Sequence, residues 1–312
     1  MTHIFADLHN HTTASDGDFS PGDLVALAAG MGIKVLGVTD HDTLDGLEPA
    51  LAAGTLQGVD VFPGVEVSVR FKREFFTGTL HVLTYFSSAL LKDSGFVTRF
   101  KTLLAQGRGQ GLVRARIEKI NEVFGPGGES PLLSRNLAFE DIAAYSDNAS
   151  RRHFAMALDE KLGISDKEII NRIIGNDSPA YLPSGIDLEQ VKGFIKSEPV
   201  VAVLAHPAAG SFPGEGHYKE VLPPVETVTR LLPELLDAGV KGLEVHYPGH
   251  APEHKALLFS WAQKYDLLVT GGSDCHDNVG RPLGVAGADE QELNRLRQEV
   301  LCAEKMTANR SG

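Results

Sequence analysis

Phe5-Ala6-Asp7-Leu8-His9-Asn10-His11 opens the chain, with Asp16 five residues further on. Side chains alternate faces along a strand, so His9 and His11 project together, as two imidazoles must to grip one cation. His-x-His is a common doublet, and its weight here comes from repetition. Other apolar, strand-like runs also end in chemistry-bearing residues. Lys34 to Thr39 runs into Asp40-His41-Asp42, and Val59-Asp60-Val61-Phe62 into Pro63-Gly64-Val65-Glu66. Pro199 to Leu204 runs into Ala205-His206-Pro207, and Leu267 to Thr270 into Gly271-Gly272-Ser273-Asp274-Cys275-His276.

Helical stretches separate these runs. Ser20-Pro21 is an N-cap followed by proline in the first turn, with Leu24, Leu27, Ala28 and Met31 on one face. A second helix is expected from about Thr43. Val225, Val228, Leu232 and Leu235 stripe a later helix, and Leu258, Trp261, Ala262 and Tyr265 another. Gly242-Leu243-Glu244-Val245-His246 and His81 to Phe86 complete the strands. Regular strand–helix alternation predicts parallel strands joined by crossover helices, and about seven such units predict a TIM-like α/β barrel.

The rhythm changes between 97 and 190. A long, basic helical stretch reaches about Phe124, and a Gly/Pro-rich turn follows at Gly125-Pro126-Gly127-Gly128. Short helices come next, one opening on the capping-box pattern Ser165-x-x-Glu168. No strand is legible there. The expected organisation is a barrel from 1–96 and 191–312 with a small helical insertion at 97–190.

At 312 residues the chain buries a substantial core, and its net charge of −12 argues against a broad basic nucleic-acid surface. A small anionic substrate stays compatible, because bound divalent cations reverse the local field. No apolar run spans a bilayer and no leader segment is evident. Only Cys275 and Cys302 are present, so no disulfide framework is expected, and the reading is cytoplasmic.

His9, His11, His41, Glu66, His206, Asp274 and His276 all sit at or just past the C-terminal end of a predicted strand. In an α/β barrel those ends converge on one face, where active sites are built. Imidazoles and carboxylates with open positions are what hydrolytic metals require. Asp16 lies in the first loop. His81 heads its strand instead of following it. Taken singly, such residues are commonly solvated loop histidines or helix-capping aspartates. Two doublets of ligand spacing, His9/His11 and Asp274/His276, at opposite ends of the chain favour a metal site.

With its Asp-Leu-His-Asn-His, Thr39-Asp40-His41, Pro63-Gly64-Val65-Glu66, Ala205-His206-Pro207 and Ser273-Asp274-Cys275-His276 segments in order, the chain resembles the PHP (polymerase and histidinol phosphatase) family from end to end. The resemblance implies a distorted (β/α)7 TIM-like barrel with two or three divalent metal ions, and the ligand set suits Mn2+ first and Fe2+ or Zn2+ next. It implies His9, His11, Glu66 and Asp274 at a first ion, and bridging Glu66 with His81 and His206 at a second. Asp16, His41 and His276 would serve a third, and Asp7 would orient a ligand. Segments Ser150-Arg151-Arg152-His153 and Pro179-Ala180-Tyr181-Leu182-Pro183 are similar to motifs of the branch acting on nucleoside 3′,5′-bisphosphates and short RNA 5′ ends. There Arg151 and His153 would hold substrate phosphate, although Ser150 and Arg152 replace the usual glycine and proline. His250, in His250-Ala251-Pro252-Glu253, would face the site.

The resulting expectation is hydrolysis of the phosphomonoester of a small nucleotide, or of a short RNA 5′ end, by a metal-activated hydroxide. Glu66 and Asp274 would be essential, and His250 is a candidate to bind substrate and protonate the leaving oxygen. Arg108, Arg114 and Arg116 read as a solvated helix face, with contact to the rest of a longer nucleic-acid substrate as the secondary reading. No stable protein partner is expected. Histidinol-phosphate hydrolysis, amidohydrolase chemistry and a non-catalytic metal-binding module are the competing readings. Amidohydrolase sites commonly need a strand lysine, and none ends a central strand here. A degenerate module would have lost ligands, whereas all nine positions are filled.

Overall fold

The computed structural model describes residues 4–146, 149–211 and 222–308; His3 and His217, for which the sequence supports no role, lie outside them. In chain order the elements are β1 (Ala6–Asp7), α1 (Pro21–Met31), β2 (Val35–Val38), α2 (Leu47–Gln57), β3 (Asp60–Arg73) and β4 (Phe76–Tyr85). Helices α3 (Ser94–Leu104), α4 (Gln110–Phe124), α5 (Phe139–Ala143), α6 (Arg151–Leu162) and α7 (Lys167–Ile174) follow. The chain ends with β5 (Ile186–Asp187), α8 (Leu188–Ser197), β6 (Val201–Leu204), α9 (Val225–Ala238), β7 (Val240–His246), α10 (Pro252–Tyr265), β8 (Leu268–Gly271) and α11 (Glu290–Ala308).

Strand order β1-β2-β3-β4-β6-β7-β8 forms a nearly closed barrel sheet, with β5 pairing outside this path on β3. Backbone bonds bring the two ends together: Leu8 N donates to Gly271 O, and Asp274 N to His9 O, at 3.1 and 2.8 Å. Gly272 permits this approach, since a Cβ there would fall 2.4 Å from His9 N. Inside, Leu8, Val35, Leu83, Tyr85, Val201 and Val203 fill the barrel, and a larger apolar layer packs the helices around it.

The sheet is not uniformly parallel. Strands β3 and β4 form an antiparallel hairpin, and β4 runs antiparallel to β6 as well. Only two residues separate β3 from β4, far fewer than the dozen or so that a parallel crossover needs. Because β4 runs back down the barrel, it passes the mouth at its middle, before its apolar second half. His81 therefore precedes its apolar run and still faces the site. In register it opposes Ser68, two residues from Glu66, and so shares Glu66's face.

Two sequence expectations change in the helical region. Helix α3 buries Phe96, Phe100, Leu103 and Leu104 in the main core, so 97–104 packs with the barrel and the chain leaves it at the glycine-rich turn 106–111. A separate apolar cluster, including Val113, Ile117, Phe124, Phe154, Leu158 and Ile173, holds the remaining helices together. Gly185 N donates to Gly107 O at 2.9 Å where the chain returns. The expected Ser165 capping box is replaced by Asp166, which accepts from Glu168 N and Ile169 N at 2.8 and 3.1 Å. Among the described residues no helix is long and apolar enough to cross a membrane.

Candidate metal centre and its cavity

Nine side chains from distant parts of the chain meet at the barrel mouth. Glu66 is central. Its Oε2 lies 3.2 Å from His9 Nε2, 3.1 Å from His11 Nε2 and 3.1 Å from His41 Nδ1. Its Oε1 lies 3.0 Å from His81 Nδ1 and 3.1 Å from His206 Nε2. Asp274 Oδ1 sits 3.1 Å from His11 Nε2 and 3.5 Å from His9 Nε2. Asp16 Oδ1 sits 3.3 Å from His276 Nε2 and 3.7 Å from His11 Nδ1. Three overlapping groups have spacings that could hold an ion: His9, His11, Glu66 and Asp274; His41, Glu66 and His81; and His11, Asp16, His41 and His276.

The donor set fits cations. His9 Nδ1 donates to Glu244 Oε1 at 3.0 Å, which leaves the lone pair on Nε2, and that nitrogen faces His11 Nε2 at 3.3 Å. Glu66 Oε2 and Asp16 Oδ1 are buried without a hydrogen-bond donor. Lone pairs and carboxylates gathered in a buried space repel unless positive charge lies among them. Without a metal, protons would take that part. Burial opposes charge on His9 and His11, yet the surrounding carboxylates raise His9 well above the usual imidazole range and His11 to about 9. Burial likewise opposes charge on Glu66 and Asp274. Histidines His41, His9 and His81 nonetheless hold Glu66 well below the carboxylate range, and His9 with His276 holds Asp274 at about 2.

Backbone strain collects at the same place. Asp42, His206 and Asp274 adopt positive φ values of 50°, 31° and 51°. Non-glycine residues in this region cost about 1–3 kcal/mol each and persist where surrounding structure holds them.

Residues around the cluster fix its geometry. Fully buried Glu244 accepts from His9 Nδ1 through Oε1 and from His206 N, at 2.8 Å, through Oε2. Its signal in the sequence was a carboxylate within the apolar run Gly242–His246. Asp40 accepts from Thr12 N, Thr12 Oγ1 and Ser15 Oγ at 2.7, 2.7 and 2.6 Å, which shapes the loop between His11 and Asp16. Asp7 holds the Ser273–Asp274 turn through Ser273 N, and burial raises its carboxyl to about 6.

Above the cluster opens a cavity of about 550 Å³. Asp16, His41, His81 and His276 line it on one side, and Arg108, Arg116, Arg151, Arg152 and Arg281 contribute guanidinium groups. The expected solvated face therefore holds only for Arg114, which is exposed and lies over the Phe139 ring. Arg108 pairs with Asp42, while Arg116 donates Nε and Nη2 to Leu182 O at 3.0 and 2.8 Å. Burial, with Arg151 and Arg108 nearby, lowers Arg116 to about 9. Arg151 donates to Asn176 Oδ1 at 2.7 Å and lies over the Tyr181 ring.

Two expected substrate residues behave differently. His153 is buried, and its Nδ1 accepts from Ser150 N at 3.0 Å, closing the α6 N-terminal cap. Asp16 and His276 are close enough to act on its charge, and burial lowers its pKa. His250 stands behind the cluster. Its Nδ1 lies 3.0 Å from Val245 O and its Nε2 accepts from Ala208 N at 3.1 Å. With both ring nitrogens engaged by backbone, His250 is bonded as a structural residue, and these bonds speak against the expected catalytic and binding roles.

The chain is similar to known proteins over most of its length. Residues 7–108 match the family model of the PHP domain. A 3′,5′-nucleoside bisphosphate phosphatase from Chromobacterium violaceum is 28% identical over 285 residues, 89% of this chain and 90% of the relative. A 5′-3′ exoribonuclease from Haemophilus influenzae is 26% identical over 279 residues, 88% of this chain and 90% of the relative. A solved Bifidobacterium adolescentis chain, described as a candidate metal-dependent phosphoesterase, superposes with a TM-score of 0.72 at 25% identity, covering 94% of this chain and 96% of its own.

Proposed function

From the match of residues 7–108 to the PHP-domain model, we propose that the chain is a metal-dependent hydrolase of phosphate monoesters whose substrate is a small phosphorylated nucleotide, a nucleoside 3′,5′-bisphosphate or the 5′ end of a short RNA. The observation that carries the reading is the shared cavity, in which Asp16, His41, His81 and His276 of the candidate ligand cluster share a wall with half-buried guanidinium groups. Cationic ligand ions on one side and fixed guanidiniums on the other are what a phosphate dianion requires.

In this reading His9, His11, Glu66 and Asp274 hold one ion, and Glu66 with His81 and His206 holds a second. Asp16, His41 and His276 serve a third subsite. Divalent cations, Mn2+ first and Fe2+ or Zn2+ as alternatives, supply Lewis acidity and lower the pKa of water when bound. Glu66 sets the spacing by offering both oxygens to different histidines. Glu244 fixes the tautomer of His9 so that Nε2 faces inward. Arg151, held by Asn176, orients the phosphate and offsets its charge as a fork instead of a point charge. Arg116 and Arg108 extend positive charge along the cavity, which suits a substrate with more than one phosphate. The relatives acting on bisphosphates and RNA support the nucleotide class.

The test is phosphate release from adenosine 3′,5′-bisphosphate, AMP, histidinol phosphate and a short 5′-phosphorylated RNA with Mn2+ supplied. Preference for the bisphosphate or stepwise release of nucleotides supports the reading. Turnover of histidinol phosphate alone would overturn the substrate class, and inactivity of metal-loaded protein on every ester would overturn the phosphoesterase assignment.

A further inference from the structure

A positive side chain already stands at the outer edge of the cluster. After β8 the chain turns tightly, and Asp277 Oδ1 accepts from Val279 N and Arg281 N at 2.8 and 3.1 Å. This turn aims Arg281 inward. Its Nη1 lies 3.2 Å from His276 Nε2 and 4.0 Å from Asp274 Oδ2, and its side chain is 14% exposed. Arg281 is also part of the cavity wall.

The tautomer of His276 makes this contact consequential. His276 Nδ1 lies 2.8 Å from the backbone oxygen of Asp274, a bond that only a protonated Nδ1 makes. In the neutral ring the lone pair is therefore on Nε2, which lies 3.3 Å from Asp16 Oδ1 and belongs to the group His11, Asp16, His41 and His276. One lone pair serves one partner. It accepts the Arg281 N–H, or it binds an ion, and the two exclude each other.

We infer that Arg281 is a built-in competitor for the outer cation subsite, its guanidinium and an ion taking turns at His276 Nε2. The inference rests on the metal-centre reading above and adds an order to it. The inner ligands His9, Glu66, His81 and His206 hold their ions firmly, whereas the outer subsite fills only when an ion displaces Arg281. Once displaced, the guanidinium stays in the wall of the cavity that receives substrate. Metal content and phosphate affinity are thereby linked through one side chain.

Equilibrium dialysis against stepped free Mn2+, with bound metal counted by mass spectrometry, tests this in the wild-type chain, Arg281→Met and Arg281→Lys. The expected wild-type isotherm has two tight ions and a weaker third. Arg281→Met, which removes the charge and the donor, should fill the third subsite at roughly tenfold lower free Mn2+, the effect of losing one charge-assisted hydrogen bond. Arg281→Lys, which keeps a cation near the subsite, should stay closer to wild type. Retention of the two tight ions in both variants shows that the fold and the inner centre are intact. Identical third-ion isotherms in wild type and Arg281→Met would overturn the competition. Failure of the wild-type chain to bind Mn2+ at all would overturn the metal centre itself, a distinguishable result.

Discussion

His250 offers a quantitative test because sequence and structure assign it opposite states. It is 5% exposed, both ring nitrogens are bonded to backbone, and burial lowers its pKa to about 3. A histidine depressed in the folded chain is neutral there, while the unfolded chain protonates it below its ordinary value of 6.5. Its contribution to stability is therefore complete above pH 6.5 and declines as pH falls from 6.5 towards 3. Each pKa unit is worth about 1.4 kcal/mol, so the loss is about 2 kcal/mol at pH 5 and about 5 kcal/mol at the acid limit. The assay is urea unfolding of wild type and His250→Gln at pH 7.5 and 5.0, with chelator present throughout so that metal release does not enter. Glutamine does not titrate, and groups common to both proteins cancel in the difference. The stability advantage of wild type should shrink by about 2 kcal/mol between the two pH values. A difference that stays constant within about 0.5 kcal/mol would refute the buried neutral histidine and reopen a role in proton transfer.

Further outcomes follow from the same geometry. Glu244→Gln places an amide NH2 where two donors, His9 Nδ1 and His206 N, need acceptors; metal affinity measured by dialysis should fall about 10- to 100-fold. Arg151→Ala should lower kcat/KM by about 10- to 100-fold, mainly through KM, with metal content unchanged; loss of metal in this variant would contradict its assignment to the phosphate. Glu66→Gln should abolish both metal retention and activity, since its oxygens face five histidines. Chelation of the wild-type protein should remove activity, and Mn2+ should restore it, measured as phosphate release.

Much of the barrel was legible because each apolar run carries its own period and ends in a polar cluster. The α1 cap shows the same local legibility: Ser20 accepts from Asp23 N as the Ser20-Pro21 pattern predicts. The β3–β4 hairpin was less legible, because the strands' polarity depends on a turn of two residues that apolar periodicity does not register. The boundary of the helical insertion was hidden for a related reason. Amphipathicity shows that α3 has a buried face, and only packing shows that the face belongs to the barrel.

The candidate site divides along the same line. Sequence alone placed seven of the nine candidate ligands at or just past strand ends, since strand geometry sets local direction, whereas Asp16 lay in a loop and His81 rested on the family resemblance. Tertiary structure decided which of these residues share an oxygen, because Glu66 meets His206 across 140 residues. It also turned Arg108 and Arg116 from an apparent solvated face into part of a cavity wall, and it closed both nitrogens of His250 with backbone groups. Those outcomes depend on neighbours brought together only when the barrel closes, a property of the folded chain that no local pattern of residues encodes.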